Sequence, residues 1–274
     1  MLQGAIAAAL TPLRDGAPDV DAVGPYVEFL AAGGLDGLLA MGTTGEGMLF
    51  DLDERKEIAG AFADAAAGRL QVAVHAGMQT TRDTVALAEY AATIAADAVA
   101  VIPPPYFPLD DDALLAHLGA AARACAPVPF YVYEFERASG YAVSPAVLDR
   151  LREAAPNLVG LKVSDSPYEK FARYLGPAVD VFVGPEAFIG RGIDAGAVGA
   201  VSALASAFPE RVAAAVRERS DELASLRETI ERFPRHAALK HVVRRRGVPL
   251  QPDVRPPLRR LTPDEARELD ALLD

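Results

Sequence analysis

The stretch Gly37-Leu38-Leu39-Ala40-Met41-Gly42-Thr43-Thr44-Gly45-Glu46-Gly47-Met48-Leu49-Phe50, GLLAMGTTGEGMLF, joins a short apolar run to a glycine-rich loop. An apolar run of this length is typical of a buried strand. Asp51 and Glu54 follow with the spacing of a capping box, which predicts that a helix begins there. Strand, loop and helix in this order form the repeating unit of α/β folds. The loop itself could bind a phosphate, hold a carboxylate or simply turn the chain into the helix.

The same unit recurs along the chain. Eight apolar runs, each short enough for a buried strand, alternate with longer amphipathic segments. The runs lie at residues 5–10, 37–41, 71–75, 98–102, 129–133, 158–163, 179–183 and 198–201. Eight such units predict an α/β fold of the (β/α)8 TIM-barrel type, which takes ~250 residues. A doubly wound open sheet is the competing arrangement.

The sequence becomes purely helical after Ser206. The helices predicted there cover residues 209–222, 222–233 and 236–246, and a last one is capped at Thr262 after a proline-rich connector at residues 249–257. We therefore predict a barrel over residues 1–205 and a C-terminal helical annex over residues 206–274. The annex packs on the barrel, so the two form one structural unit.

The overall charge limits the partners that the protein can have. The net charge of −11 argues against nucleic acid or an anionic membrane as a partner, because both would require a basic patch. We interpret the one basic cluster as a solvated face or a subunit contact. It consists of Arg244, Arg245, Arg246, Arg255, Arg259 and Arg260.

Cysteine content and hydropathy indicate the compartment. A single cysteine, Cys125, cannot form an internal disulfide and fits a reducing cytoplasm. The first residues lack the basic segment of a signal peptide, and charges and glycines interrupt the alanine-rich stretches well short of a membrane span. We expect a soluble cytoplasmic protein.

Lys162 lies near the carboxyl end of the sixth apolar run. The chain has only four lysines although arginine is plentiful, so a lysine here suggests that a primary amine is needed. An amine, unlike a guanidinium, can lose its proton and attack a carbonyl carbon. Active sites of barrels lie at the carboxyl ends of strands, which favours Schiff-base chemistry. The alternative is a structural lysine paired with a carboxylate.

Tyr131 and Tyr133 alternate along the fifth run and therefore share one face of the strand. A phenol close to a forming imine can donate the proton that a carbinolamine needs to lose its hydroxyl group. Strands five and six are neighbours in a barrel, so Tyr133 can face Lys162. The alternative is that this tyrosine only fills the barrel.

Taken together, the Gly-Thr-Thr-Gly-Glu loop after strand two, the tyrosine of strand five and the Gly-Leu-Lys of strand six resemble the dihydrodipicolinate synthase/N-acetylneuraminate lyase family. The resemblance covers nearly the whole chain. Members of this family are (β/α)8 barrels, usually tetrameric, whose lysine forms a Schiff base with pyruvate or another 2-oxo acid. The resemblance therefore implies a small-molecule 2-oxo acid substrate, a homo-oligomer (tetramer or dimer), and chemistry that requires neither a metal nor a diffusible cofactor.

The resemblance also implies roles for single residues. It assigns the Schiff base to Lys162 and the proton relay to Tyr133, with Thr44 joining the relay. It makes Thr43 and Thr44 contacts of the substrate's carboxylate and hydroxyl groups, at a turn before a helix that suits an anion. The substrate-binding residues expected at the strand ends are Gly42, Thr43, Gly45, Gly184 and Val201.

A further tyrosine, often donated by a neighbouring subunit, is expected in the loop after strand four. Tyr106 fits this role if Pro108 fixes the register. A shift by one residue would put Phe107 there, and phenylalanine cannot relay a proton. The alternative is an interface aromatic packed on prolines.

The loop after strand five departs from the family pattern Tyr-Asn-x-Pro-x-x-Thr-Gly, because this chain reads YEFERASG over residues 133–140. Dihydrodipicolinate synthases place an arginine at the position of Ala138 to hold the second substrate's carboxylate. Arg137 is one residue away and would point elsewhere unless the loop shifts. Glu134 and Glu136 would bring negative charge to the substrate site, unless both face solvent.

Two other polar residues follow strand ends. His75 closes strand three, and we interpret it as a buried, hydrogen-bonded histidine rather than a specificity contact. Glu186 follows strand seven and could select hydroxyl groups or simply lie at a helix N-terminus. The four histidines show no ligand spacing, and no cluster of Cys, His and carboxylates indicates a metal site.

The sequence thus predicts a class I lyase that acts on pyruvate or another 2-oxo acid through an imine on Lys162. Sugar-acid aldol cleavage, condensation or dehydration is expected, rather than true dihydrodipicolinate synthesis. The alternative is a non-catalytic or weakly active 2-oxo-acid-binding paralogue. A phosphosugar-binding barrel is disfavoured, because no Gly-x-Gly-x-x-Gly and no Walker-type Gly-Lys-Ser/Thr is present and Glu46 would repel phosphate.

Overall fold

Eight parallel strands form a closed barrel in the computed structural model, which describes residues 1–176 and 178–273. The strands are β1 (Gly4–Ala8), β2 (Gly37–Ala40), β3 (Gln71–His75), β4 (Ala98–Val101), β5 (Phe130–Glu134), β6 (Leu158–Val163), β7 (Asp180–Val183) and β8 (Gly199–Ser202). Each pairs with its neighbours in the chain, and β1 pairs with β8. Closure confirms the predicted TIM barrel and excludes the open sheet.

Helices follow the strands. They are α1 (Val23–Ala32), α2 (Leu52–Ala66), α3 (Thr81–Thr93), α4 (Asp111–Cys125), α5 (Glu136–Ser139), α6 (Pro145–Ala154), α7 (Tyr168–Ala172), α8 (Ile189–Asp194), α9 (Pro209–Glu218), α10 (Ala224–Glu231), α11 (Arg235–Arg245) and α12 (Pro263–Leu273). Short 3₁₀ turns lie at Val20–Ala22, Gly47–Leu49, Glu186–Phe188 and Leu204–Ser206, and a small hairpin joins Leu13–Arg14 to Ala17–Pro18.

Both helix starts predicted at Asp51 and Thr262 are present, and a third capped start lies at Ser144. Asp51 and Glu54 form both hydrogen bonds of the capping box that begins α2. The hydroxyl of Ser144 accepts a hydrogen bond from the N–H of Val147, with proline at the first position of α6. Thr262 and Glu265 exchange hydrogen bonds at the start of α12. These caps satisfy N–H groups that have no partner within the helix.

The interior of the barrel is filled mainly by small side chains, with two aromatic rings among them. Alanines of several strands pack with Tyr131 and Phe182, whose ring centroids lie 5.9 Å apart. Gly160 makes room for this layer, since a Cβ there would lie 2.7 Å from the Tyr131 ring. A larger core fills the space between the strands and the helices. Open space is found at the carboxyl ends of the strands.

The last helix of the barrel is α9. It packs against β1 and β8, and Pro209 at its start lies against Gly33 at the end of α1, which closes the helical layer. The predicted boundary at residues 205 and 206 assigned this helix to the annex, whereas its contacts put it in the barrel. The annex proper consists of α10, α11 and α12. Among the described residues, no helix combines the length and apolarity needed to cross a membrane.

Candidate active site

A cavity of about 380 Å³ opens at the carboxyl ends of the strands; we refer to it as the strand-end cavity. Side chains of β5, β6 and β8 and of the loop after β2 line its inner part, while α10 and α11 contribute its outer wall. The predicted residues that line it are Thr43, Thr44, Tyr133, Lys162, Gly184 and Val201. The position matches the place where barrel enzymes hold their substrates.

Lys162 and Tyr133 are direct neighbours across the pair of strands β5 and β6. The Nζ atom of Lys162 lies 3.7 Å from the centroid of the Tyr133 ring, in a cation–π contact. Lys162 is 7% exposed and reaches the cavity. Among the described residues it forms no ion pair with a carboxylate, so its amine faces an aromatic ring and open space. This arrangement differs from the structural lysine considered as the alternative.

The phenol of Tyr133 is hydrogen-bonded to the hydroxyl of Thr43 at 3.0 Å. Burial would raise the pKa of Tyr133, but the nearby charge of Lys162 and hydrogen bonds with Lys162, Thr43 and Ser164 lower it below its ordinary value of 10.0. The sequence assigned the relay to Thr44. Thr44 lines the cavity, but the hydroxyl that contacts Tyr133 is that of Thr43.

The backbone of the glycine-rich loop turns at two left-handed residues, Met41 (φ 56°) and Glu46 (φ 59°). Glycine is needed at position 45, because a Cβ there would lie 2.8 Å from the carbonyl oxygen of Ala9. Gly42 and Gly45 were predicted to contact the substrate, but neither lines the cavity; they form the loop beneath Thr43 and Thr44. Among the described residues, the N–H groups of Thr43 and Thr44 have no protein acceptor, which leaves them available to an anion.

The annex holds this loop in place. Lys240 of α11 donates to Glu46 at 2.5 Å, and both side chains are fully buried. The other carboxylate oxygen of Glu46 accepts from the N–H of Arg255. His236 is hydrogen-bonded through Nε2 to the carbonyl oxygen of Thr43 at 3.0 Å. Glu46 therefore supports the loop from behind, and the annex fixes the position of Thr43.

Glu134 lies behind the strand and does not reach the cavity, contrary to the prediction. It follows Tyr133 in β5, so its side chain points to the opposite face. One of its oxygens accepts from the N–H of Val143, while the other has no hydrogen bond and lies 3.7 Å from Arg173. Burial, with the nearby negative charge of Asp165, raises the pKa of Glu134 to about 7.

The charge that the β5–α6 loop brings to the cavity is positive. Glu136 does not line the cavity, because its carboxylate forms a 2.7 Å ion pair with Lys170. Arg137 does line it, with its guanidinium carbon 5.6 Å from the ring centroid of Phe135. The prediction that two glutamates make this side of the site acidic is therefore wrong. Ala138 lies on the other side of the loop, where it lines a second cavity.

The outer wall of the strand-end cavity carries a network of ion pairs from α10 and α11. Glu186 accepts from the hydroxyl of Ser202, the N–H of Leu204 and, at 2.9 Å, from Arg227. Arg227 also pairs with Glu231 at 2.7 Å. Glu186 thus connects the loop after β7 to β8 and to the annex, rather than lying free to select hydroxyl groups.

The sequence reasoning missed the annex side of this wall. Arg227 and Glu231 are four residues apart in α10, a spacing that puts them on one side of that helix, and Arg235 begins α11 directly after the break at Pro234. That spacing was a detectable sign of a shared charged face. Nothing in the sequence shows that the face closes over the mouth of the barrel.

Tyr106 and Phe107 project from the loop after β4 and do not enter the strand-end cavity. Tyr106 is 84% exposed and Phe107 is 64% exposed, with their rings edge to face. Within one chain, therefore, no tyrosine of this loop reaches Tyr133 or Lys162. A second, apolar cavity of about 260 Å³ lies between this loop and the loop after β2, lined by Met48, His75, Ile102, Pro105, Ala138 and His236, with Thr43 at the boundary of both cavities.

His75 is buried, in keeping with its interpretation as a hydrogen-bonded histidine. Its Nδ1 lies 3.1 Å from the carbonyl oxygen of Met41, and Nε2 accepts from the N–H of Ile102. Burial, with the charge of the buried Arg55, lowers the pKa of His75 well below 6.5, so the ring stays neutral. Its ring packs edge to face with Tyr133 at 5.8 Å. The described part of the chain holds no group of three or more His, Cys, Asp or Glu side chains that could bind a metal ion.

Comparison with known proteins agrees with this geometry. A model of the dihydrodipicolinate synthetase family matches residues 1–274. An uncharacterized DapA-like lyase of Halobacterium salinarum is 32% identical over 288 residues, which cover 98% of this chain and 92% of that one. A 4-hydroxy-tetrahydrodipicolinate synthase of Chelativorans is 31% identical over 289 residues, covering 100% and 98%.

Among solved structures, the N-acetylneuraminate lyase of Proteus mirabilis superposes with a TM-score of 0.88 at 28% identity, over 98% of this chain and 97% of that one. The family match covers every strand of the barrel and every residue that lines the cavity. The chain therefore belongs to the dihydrodipicolinate synthetase family.

Proposed function

We propose that the protein is a class I lyase that forms an imine between Lys162 and the C2 carbonyl of pyruvate or another 2-oxo acid. The observation that carries this proposal is the buried amine of Lys162, which has no carboxylate partner, faces a cavity and lies 3.7 Å from the ring centroid of Tyr133. An amine that faces open space can approach a carbonyl carbon, whereas one held by a carboxylate cannot, and the neutral amine is the nucleophile.

Tyr133 and Thr43 supply the proton that imine formation needs. The amine of Lys162 attacks C2, and one of its protons passes to the carbonyl oxygen, which becomes the hydroxyl group of a carbinolamine. The phenol of Tyr133 protonates that hydroxyl, the C–O bond breaks, water leaves, and the nitrogen lone pair forms the C=N bond. The phenolate then recovers a proton through the hydroxyl of Thr43, 3.0 Å away. The iminium accepts electrons from a bond to C3, so a carbon–carbon or carbon–oxygen bond further along can break or form.

The loop after β2 binds the carboxylate of the 2-oxo acid. The N–H groups of Thr43 and Thr44 are free of protein acceptors, and the hydroxyl of Thr44 lines the same part of the cavity. Ion pairing of Glu46 with Lys240 keeps this loop rigid, so the two N–H groups are in place before the substrate binds. Gly184 and Val201 bound the space next to the imine.

Tyr106 completes the relay from a neighbouring subunit in this proposal. Its exposure on the surface of one chain supports such a contribution, since an exposed tyrosine next to an exposed phenylalanine is typical of an interface. The assembly is then a homo-oligomer, a dimer or tetramer, in which Tyr106 of one chain meets Thr43 of another. Loss of activity on dilution to monomers would support this arrangement.

The reaction we propose is aldol cleavage, condensation or dehydration of a sugar-acid-like 2-oxo acid. Serine hydroxyls at positions 164 and 166 and the carboxylates of Glu228 and Glu231 line the cavity beyond Lys162 and can bind hydroxyl groups of a substrate. Relatives carry the names of both a synthase and a lyase, so the family match alone does not select the direction. Ala138, in the position of the synthase arginine, argues against dihydrodipicolinate synthesis.

Deuterium exchange at C3 of pyruvate tests this proposal against a non-catalytic binding protein. An imine that converts to the enamine releases a C3 proton and takes up a deuteron from heavy water, which NMR follows directly. We expect exchange by the wild type, a decrease of about 10²–10⁴-fold in Tyr133→Phe, and none above background in Lys162→Arg. Imine formation without exchange would indicate a binding protein, and unchanged exchange in Tyr133→Phe would remove Tyr133 from the mechanism.

A further inference from the structure

Two arginines in the outer wall of the strand-end cavity have very different surroundings. Arg227 lies between two carboxylates, with Glu186 at 2.9 Å and Glu231 at 2.7 Å. The carboxylate oxygen closest to Arg235 is that of Glu231 at 3.6 Å, and this same atom already pairs with Arg227. The Nε atoms of Arg227 and Arg235 are both buried without a hydrogen-bond partner, so the two arginines differ in their carboxylate contacts. Arg227 has two carboxylates at close distance, whereas Arg235 shares one carboxylate oxygen with Arg227 at a longer distance.

The electrostatics of the two groups agree with the contacts. For Arg227, the carboxylates outweigh burial and raise its pKa above the ordinary value. For Arg235, burial and the repulsion from Arg227 outweigh Glu231 and lower its pKa. A guanidinium that is partly desolvated and under-compensated gains more from an incoming anion than one already held by two carboxylates.

Arg137 provides a second guanidinium on the same cavity, from α5. Within residues 1–176 and 178–273 it forms no ion pair; its guanidinium carbon lies 5.6 Å from the ring centroid of Phe135, and its charge acts on Glu231 from a longer distance. Arg137 and Arg235 come from elements nearly 100 residues apart, yet both line the cavity into which Lys162 projects. The nearby Tyr133 contributes to the electrostatics of Arg235, so this guanidinium lies close to the reacting centre.

We propose that Arg235 and Arg137 bind a second carboxylate, at the end of the substrate away from C2, so that the substrate is a 2-oxo diacid. This inference rests on the proposed imine chemistry. It assigns the recognition of the distal group to α11 of the annex together with α5, because Ala138 cannot provide it. Arginine is suited to the role, since its planar fork of N–H groups matches a carboxylate.

The cavity has room for such a substrate and favours a single negative charge at its far end. Its volume of about 380 Å³ lies in the range of cavities that hold drug-sized ligands, which exceeds the needs of a three-carbon acid. Glu228 and Glu231 also line this wall, and they would repel a doubly charged phosphate more strongly than a carboxylate. Their oxygens can instead accept hydrogen bonds from hydroxyl groups along the chain of the diacid.

Matched 2-oxo acids test the proposal in the wild-type protein. Borohydride reduction traps the imine, so the concentration that gives half-maximal trapping measures binding. The probes are pyruvate, 2-oxopentanoate, 5-hydroxy-2-oxopentanoate, 2-oxoglutarate and 4-phosphono-2-oxobutanoate. We expect 2-oxoglutarate to be trapped at about tenfold to hundredfold lower concentration than 2-oxopentanoate, the gain typical of hydrogen bonds to charged groups. The phosphonate and the alcohol should fall between these two acids.

Variants assign the preference to the two arginines. The measured quantity is the half-maximal trapping concentration of 2-oxopentanoate divided by that of 2-oxoglutarate. This ratio should decrease tenfold or more in Arg235→Gln and in Arg137→Gln, and Arg235→Lys should give an intermediate ratio. Arg232→Gln is the matched control, because Arg232 is exposed, pairs with Glu268 at 2.6 Å and does not line the cavity. Its ratio should stay that of the wild type. If Arg235→Gln does not fold, Arg235→Lys and Arg137→Gln decide the question.

The outcomes separate the two proposals. Absence of trapping with every 2-oxo acid would overturn the imine chemistry itself. Trapping of pyruvate without any preference for 2-oxoglutarate would leave the imine intact and overturn the diacid proposal. A preference that persists unchanged in Arg235→Lys and Arg137→Gln would also overturn it, as would stronger trapping of the alcohol or the phosphonate than of the dicarboxylate.

Discussion

Two buried lysines in this molecule have opposite surroundings. Lys240 is fully buried and donates to the carboxylate of Glu46 at 2.5 Å and to the carbonyl oxygen of Asp253 at 2.6 Å. Lys162 is 7% exposed, and its amine faces the ring of Tyr133 and a cavity. One amine therefore has its charge satisfied within the protein, while the other keeps its nucleophilic atom accessible.

In our proposal the difference separates a structural lysine from a reactive one. The amine of Lys240 is fully buried and held by Glu46 and the carbonyl oxygen of Asp253, so its nitrogen cannot approach a carbonyl carbon. Lys240 uses its charge to tie the glycine-rich loop to the annex, and so positions Thr43 indirectly. Lys162 lies on a rigid strand next to a phenol. The four predictions that follow test this division of roles, in order of decreasing effect.

The largest effect is expected at Lys162. Lys162→Arg preserves a positive charge but removes the primary amine, so deuterium exchange at C3 of pyruvate should decrease by about 10³-fold or more. Protection against thermal unfolding reports the binding of pyruvate in parallel, and it should remain measurable because the loop proposed to bind the carboxylate is untouched. Exchange within tenfold of the wild type would contradict the assignment.

The next largest effect is on stability and concerns Lys240. Lys240→Met leaves the buried carboxylate of Glu46 without its partner, so the free energy of unfolding should decrease by about 3–5 kcal/mol in urea denaturation. The double variant Lys240→Met with Glu46→Gln should recover part of this loss, because no unpaired charge remains. Lys162→Met, the matched control, should change stability by less than about 1 kcal/mol. Equal decreases in the free energy of unfolding for Lys240→Met and Lys162→Met would contradict the different roles proposed for the two lysines.

Glu134 gives a pH-dependent effect of intermediate size. Its pKa is raised from 4.5 to about 7 in the folded state. A raised folded-state pKa contributes stability that is fully present below pH 4.5 and is lost as the pH rises through about 7, for a total of roughly 3–3.5 kcal/mol.

Glu134→Gln cannot ionise and should lack this loss. The free energy of unfolding of the variant minus that of the wild type should therefore increase between pH 5 and pH 8. Arg173→Gln gives the reverse check, since it removes the nearby cation and should make ionised Glu134 more costly. A difference between variant and wild type that does not change over this pH range would show that Glu134 does not titrate there.

The smallest effect distinguishes the two threonines. Thr43→Val removes the hydroxyl that contacts Tyr133, so the maximal rate of exchange should decrease about tenfold while the fold is preserved. Thr44→Val should instead raise the concentration of pyruvate needed for half-maximal exchange, because Thr44 lines the site of the carboxylate. A larger loss of maximal rate in Thr44→Val than in Thr43→Val would restore the roles that the sequence suggested.

The sequence was sufficient for the barrel and for the placement of Tyr133 next to Lys162. Short apolar runs define the strands, and neighbouring strands in a closed barrel bring Tyr133 next to Lys162 in register. It could not decide between Thr43 and Thr44, because their directions depend on the left-handed turns at Met41 and Glu46, which no residue type at those positions predicts.

Two other differences have separate causes. Glu134 could have been assigned correctly, since strict alternation in β5 puts it on the face opposite Tyr133. Arg235 could not, because its place at the cavity follows from how α11 packs across the mouth of the barrel, a long-range contact that local patterns do not contain. Local sequence patterns thus predict the strands, but they do not predict the contacts between the annex and the barrel.

Borohydride reduction in the presence of pyruvate, followed by peptide mapping by mass spectrometry, tests the central claim most directly. The two buried lysines serve as an internal comparison within one sample. We predict a reduced pyruvate adduct on Lys162 and none on Lys240, with the adduct absent in Lys162→Arg. An unmodified Lys162 under conditions that label other lysines, or equal labelling of Lys162 and Lys240, would contradict the account.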